Sequence, residues 1–192
     1  MTITGYDGNA MEPFISPDGH FLFFNNENDP GSDTDLHVAE RTGTNSFRYF
    51  GPLKKANSGA LDAAASIDKV GHIYFTSSRE YGSTMKSIFT AIFEEHEIRN
   101  LHPLPGAINP KEPGTINMDV SISPDGNTLY ISRAVFKQGL TGPEKSDLMV
   151  AHLRNGVFEM DPHSDAIMKN INTPQLEYAP AISADGRELF FT

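Results

Sequence analysis

The 192-residue chain contains no cysteine, so disulfides and thiolate chemistry are excluded, and thiol usage says nothing about compartment. No apolar run approaches the ~20 residues that a membrane-spanning helix needs. The opening stretch, Met1-Thr-Ile-Thr-Gly-Tyr-Asp7, has neither a basic nor an apolar region and does not read as a signal peptide. Positive charge is scarce: 15 Lys and Arg stand against 25 Asp and Glu, for a net charge of −10. Such a surface repels a phosphate backbone and no basic patch offsets it, so nucleic acid is not an expected partner. No segment sustains a 3.6-residue apolar period, so helix should be scarce. Common catalytic signatures are missing as well, among them Gly-x-Ser-x-Gly, Gly-x-x-x-x-Gly-Lys and His-Glu-x-x-His.

What is present is a repeat. Gly and Pro are plentiful (16 and 13) and fall between short apolar runs, as turns between strands would. One phrase recurs: Pro13-Phe-Ile-Ser-Pro-Asp-Gly-His-Phe-Leu-Phe-Phe24, Val120-Ser-Ile-Ser-Pro-Asp-Gly-Asn-Thr-Leu-Tyr-Ile131 and Pro180-Ala-Ile-Ser-Ala-Asp-Gly-Arg-Glu-Leu-Phe-Phe191. A weaker copy, Ala63 to Phe75, has one extra residue in its turn. With the serine as marker (Ser16, Ser66, Ser123, Ser183) the spacings are 50, 57 and 60 residues. That is slightly longer than the ~40–50 usual for one propeller blade.

Each repeat divides into strands. The first ends near the serine, and Asp-Gly turns the chain, with Asp bonding a nearby amide and Gly accepting positive φ. The second is Leu22–Phe24, Ile73–Phe75, Leu129–Ile131 or Leu189–Phe191, whose unbroken apolar runs call for cover on both faces. The third is Asp35–Ala39, Ser87–Ala91 or Asp147–Ala151, and Asn155-Gly156 signals a type I′ hairpin into a fourth. These features predict an all-β propeller of four-stranded blades, incomplete here. Three blades (about residues 11–53, 61–104 and 118–168) are followed by the first half of a fourth (177–192), all in one partial propeller domain.

The phrase Ile-Ser-Pro-Asp-Gly, followed by Leu-Tyr or Leu-Phe-Phe and then Asp-Leu, resembles the PD40 (WD40-like) repeat of TolB-like propellers. The segment Ile171-Asn-Thr-Pro-Gln-Leu-Glu-Tyr-Ala-Pro-Ala-Ile-Ser-Ala-Asp-Gly186 is similar to a blade junction of that family. The resemblance covers nearly the whole chain. It implies a binding scaffold in a periplasmic or extracellular location, and six blades at closure, which makes this chain read as part of a longer protein. An open arc exposes strand edges and apolar faces, so self-association through them is expected.

Four acids precede the first strands. Glu12, Asp62 and Asp119 lie four residues before the marker serine and Glu177 lies six before, offsets that share a face of an extended strand. First strands are innermost in a propeller, so these acids would ring one channel mouth and attract Ca²⁺, a basic peptide segment or sugar hydroxyls. The plainer and weightier reading has each acid bonding amides of the adjacent loop as a junction brace. Asp18-Gly19, Asp125-Gly126 and Asp185-Gly186 are read as structural turns. Ser123-Pro-Asp-Gly-Asn-Thr128 only superficially resembles a sialidase Asp box, being one residue short and lacking its tryptophan. The oxygen-rich loop Asn25–Asp35 does not fit an EF-hand, and Glu94-Glu-His-Glu97 reads as a turn.

Two functions remain open. One is a non-catalytic scaffold that holds a protein segment or small ligand at the channel mouth or top loops. The other is a carbohydrate-active hydrolase or lyase using mouth carboxylates, for which no pair of acids stands out.

Overall fold

Each apolar run of the repeat is a strand in the computed structural model, which describes residues 1–27, 33–137 and 142–192. The first sheet contains β1 (Thr2–Thr4), β2 (Met11–Ile15), β3 (Phe21–Asn25), β4 (Leu36–Gly43) and β5 (Ser46–Pro52), in the order β1-β5-β4-β3-β2. The second runs β6 (Asp62–Ile67), β7 (His72–Ser77), β8 (Ile88–Glu94), β9 (Glu97–Pro103). The third runs β10 (Thr115–Ile122), β11 (Thr128–Val135), β12 (Lys145–Arg154), β13 (Val157–Met160). A pair, β14 (Ala181–Ile182) and β15 (Leu189–Phe190), begins the fourth. Helix is confined to α1 (Tyr81–Thr84) and α2 (Ser164–Met168) among the described residues. The fold is an incomplete β-propeller.

Alternation along the second strands explains the stacking. Phe23 points with Val38 toward Ile67, Phe75 and Phe89 of the second sheet, all in one buried cluster. Tyr74 and Ile88 turn the other way, against Val120, Leu129 and Ile131 of the third. Leu148 and Val150 continue the series toward Leu189 of the fourth. A middle strand covered on both faces has no polar side to show, which is why its sequence does not alternate.

The N-terminal segment supplies an element with no sequence signal. β1 pairs in parallel with the outer strand β5, Thr2 opposite Ser46. Behind it Ile3 and Tyr6 pack on Leu22, Phe24 and Phe47, the face of the first sheet turned away from the second. The open arc therefore has unequal ends. The first sheet's outer face is covered, whereas Phe190 and Phe191 of the fourth are 59% and 43% exposed.

Candidate functional site

The Asp-Gly turns share one mechanism. The Ser123 hydroxyl donates to Asp125 Oδ1 (2.6 Å) and accepts the Thr128 amide (2.9 Å), and Asp125 Oδ1 also accepts the Asn127 amide (3.1 Å). Ser16 with Asp18, and Ser183 with Asp185, repeat the pattern. Hydrogen bonds to the charged form pull a carboxyl down. The Ser123 hydroxyl and Asn127 hold Asp125 below the usual carboxylate range, and the Ser183 hydroxyl and Arg187 amide do so for Asp185. At Asp18 burial pulls upward, but the Ser16 hydroxyl and His20 amide outweigh it. Gly126 and Gly186 follow with φ of +76° and +71°.

The second sheet corrects the repeat register. Asp68, not Ser66, stands where the other turns have serine: its amide bonds the His72 carbonyl as Ser123 bonds Thr128. Asp68 performs both roles of the Ser–Asp pair, its Oδ1 taking the Val70 and His72 amides and its Oδ2 the His72 imidazole, each at 2.9 Å. Ser66 instead matches Ser121. Each serine accepts an amide from the next sheet's inner strand, Ile122 for Ser66 and Ile182 for Ser121, at 3.1 Å.

With the corrected marker, Asp62 and Glu177 lie six residues before it and Glu12 and Asp119 four. The structure separates these two classes. Asp62 is fully buried in its own entry loop, where it accepts the Ser58 amide (2.6 Å), the Ser58 hydroxyl (2.7 Å) and Arg79 (2.5 Å). Glu177 likewise takes the Thr173 amide (3.0 Å) and hydroxyl. Asn117 holds the same position in the third sheet and receives Arg133.

Glu12 and Asp119 are brought together instead, around an axial cavity of about 230 Å³ whose wall also includes Ala64 and Ala179. The two classes part because the inner strands bulge between them, at Met11/Phe14, Ala63/Ser66 and Asn117/Asp119, and a bulge breaks period-two alternation. Three wall residues are non-glycines with left-handed backbones: Glu12 (φ 48°), Ala64 (52°) and Ala179 (53°). Their amides are reused between sheets, Ala64 donating to Asn25 Oδ1 (3.4 Å) and Ala179 to Asp119 Oδ2 (3.0 Å). Burial pushes the Asp119 carboxyl above its usual range, opposed by the Ala179 amide and the Ser132 hydroxyl.

A side cavity of about 280 Å³ opens beside the axial one and shares Glu12 and Asp119 with it. Among the described residues no Lys, Arg or His lines either cavity. Among the described residues no three His, Asp or Glu side chains are grouped to hold a metal, and no helix is long and apolar enough to cross a membrane. In the oxygen-rich loop, Asn26 Oδ1 takes the Asp35 amide (2.8 Å), and residues 28–32 lie outside the described residues. Glu95 and His96 form a turn with positive φ at both, and His96 bonds Glu40 (2.7 Å) and stacks on Phe50.

Sequence reasoning missed Thr76 and Arg133, on second strands, Arg79, two residues beyond one, and a cleft of about 420 Å³ between the second and third sheets. Asp68, His72, His102 and Asp125 line this cleft with Tyr74, whose phenol burial, helped by the Asp68 charge, pushes up to about 12. Arg79 and Arg133 lie within two residues of the ends of their second strands, a position where an arginine can be sought in sequence.

Neither a protein-family model nor a curated protein matches the sequence. Solved structures do match. TolB from Acinetobacter baumannii aligns over 96% of this chain and 37% of its own, at 14% identity and a TM-score of 0.52. A protein assigned as TolB from Agrobacterium tumefaciens aligns over 82% of this chain and 50% of its own, also at 14% and 0.52. Hydrazine synthase from Kuenenia stuttgartiensis aligns over 92% and 47%, at 15% and 0.52. This chain thus spans half or less of each, and what it shares with them is the TolB-like propeller fold.

Proposed function

We propose that this protein is an exported, non-catalytic scaffold whose propeller holds a positively charged segment of another protein at the axial mouth. One observation carries the reading: Glu12 and Asp119, from different sheets, line one axial cavity that no basic side chain lines among the described residues. An acidic concavity concentrates cationic groups and steers their approach. The left-handed residues on its wall are consistent with a binding role, since backbone strain gathers at sites that use it. The exported location rests on the resemblance of the repeats to TolB-like propellers.

The test is a selection of random linear peptides on the protein, followed by Ala181→Phe, which fills the axial cavity from β14. Selected peptides should be cation-rich, lose affinity on the plugged variant and weaken as salt rises. Peptides that ignore both the plug and salt would sink the reading.

A second reading, the carbohydrate-active hydrolase or lyase, draws on the raised Asp119 carboxyl beside Glu12. Against it, a cavity of about 230 Å³ falls below the ~300–1,000 Å³ of small-molecule sites. Release of nitrophenol from nitrophenyl glycosides, abolished by Asp119→Asn, would replace the scaffold with the enzyme. Self-association is expected through the fourth sheet rather than the first, because two strands alone are marginally stable and Phe190 and Phe191 lie exposed. Light scattering of Phe190→Ser should show less association than the parent chain.

A further inference from the structure

The side cavity is built unlike the axial one. Its wall is apolar, from Leu61 and Ala63 of the second sheet to Ile116, Met118 and Phe136 of the third. Its polar lining residues are Glu12, Asp119, Thr76 and Ser78. Thr76 on β7 is buried, at 3% exposure, yet its hydroxyl has no hydrogen-bond partner among the described residues. The matching residue of the third sheet, Ser132, is satisfied by Ser146 (3.0 Å) and by Asp119. In the second sheet the residue matching Asp119 is Ala64, which offers no acceptor or donor side chain. A buried hydroxyl without a partner costs stability, and one facing a cavity marks a place where a ligand can supply the missing bond.

We propose that this cavity is a socket for an alkylammonium group, the end of a lysine side chain on the segment held at the axial mouth; the proposal rests on the scaffold reading above. The apolar wall takes the methylene stem, as long cationic side chains bury theirs. The ammonium has three donors, and Asp119, Glu12 and the Thr76 hydroxyl are acceptors among the lining residues. Asp119 keeps capacity for this, because a carboxylate has about four lone-pair sites and two are taken by Ala179 and Ser132. A guanidinium, with five donors in a rigid fork, is a poorer match to these acceptors. Ca²⁺ is poorer still, since it takes about 6–8 oxygens and only two carboxylates face the space. A cavity of about 280 Å³ suits one side chain rather than a cofactor.

The probe is n-pentylammonium, titrated into the protein with methyl-labelled Met, Ile and Thr and followed by NMR. Signals of Met118, Ile116 and Thr76 should shift saturably, and neutral 1-pentanol should bind about tenfold more weakly. Thr76→Val removes the hydroxyl, should leave folding intact and should weaken the ammonium about threefold to tenfold. Glu12→Gln, which keeps shape and removes charge, should weaken it too. Equal affinity for 1-pentanol, tighter binding of n-butylguanidinium, or unchanged affinity in both variants would overturn the socket. Peptides that are blocked by Ala181→Phe but bind equally well with each lysine replaced by norleucine would overturn the socket and leave the scaffold reading standing. Pentylammonium bound at these methyls, with no plug-sensitive peptide found, would do the reverse.

Discussion

The turn carboxylates and the inner-strand carboxylates occur once per repeat in the same chain, but their surroundings drive them in opposite directions. Asp125 and Asp185 sit in solvent, each collecting a serine hydroxyl and a backbone amide that favour the charged form. Asp119 and Asp62 are buried, and burial disfavours charge unless partners are supplied. Asp62 receives them in full, from Ser58 and Arg79, whereas Asp119 receives an amide and a hydroxyl but no cation. A carboxylate that is completely served by its own loop is architecture. One that is buried with capacity to spare, beside a cavity, is where a ligand can add something.

The largest effect separating the two groups is expected at Asp62. Asp62→Ala leaves Arg79 buried against Phe75 and Phe89 without its counter-charge and strands the Ser58 amide. Removing one partner of a buried pair costs about 3–5 kcal/mol. Urea denaturation should show that loss, and a midpoint close to the parent's would mean that Arg79 finds another partner.

The turns can be sharpened against one another through their glycines, which share a left-handed backbone but not their surroundings. A Cβ at Gly126 would meet Asp68 Oδ2 at 2.8 Å, whereas one at Gly186 meets nothing within 4 Å. Gly186→Ala should cost only the backbone penalty, about 1–2 kcal/mol. Gly126→Ala should cost about 1 kcal/mol more, because Asp68 must shift while holding its own turn. Equal losses in thermal melts would show that the second and third sheets do not meet tightly there.

A smaller effect belongs to Asp125 itself. Its carboxylate is mostly exposed, so Asp125→Ala loses a screened cap on one amide and one hydroxyl, about 1 kcal/mol. Peptide affinity at the axial mouth should not change beyond that loss. Wild-type melting with abolished binding would move the turn into the functional surface.

These differences also explain what could be read in the sequence. The turns were legible because every partner of Asp125 lies within two residues, so chemistry and spacing appear in one phrase. The strands were legible because each second strand is apolar on both faces. β1 was not, being three residues long and paired with a strand more than forty residues away. The acid ring misled because bulges lie between the two offsets, and bulges leave no mark in composition. Ser66 reads as the marker in sequence because Asp68 merges the serine and aspartate roles in one side chain. The contact that defines the axial site is also distant in sequence, with Asp119 bonding Ala179 sixty residues on.

The smallest expected effect is the one that tests the contrast most directly, through the sign of a pH dependence. Asp125 has a folded-state pKa below its unfolded value, held there by the Ser123 hydroxyl and Asn127. Its contribution is present above the usual value near 3.8 and is lost as pH falls through the lower folded value. Asp119 is raised by burial, so the folded protein keeps a proton that the unfolded chain releases. Its contribution is complete below the unfolded value and disappears as pH rises through the folded one. Asp125→Asn should therefore make the protein less sensitive to acid below the usual carboxylate range. Asp119→Asn should remove a loss of stability that wild type suffers as pH climbs out of that range, while its side-chain carbonyl still accepts the Ala179 amide. Denaturation midpoints measured from pH 3 to pH 7 should thus diverge from wild type toward neutral pH in opposite directions, Asp125→Asn below it and Asp119→Asn above it. A loss of stability in both variants at neutral pH would mean that Asp119 is ionised and compensated in the folded protein, and the buried acid would then belong with Asp62 as a brace.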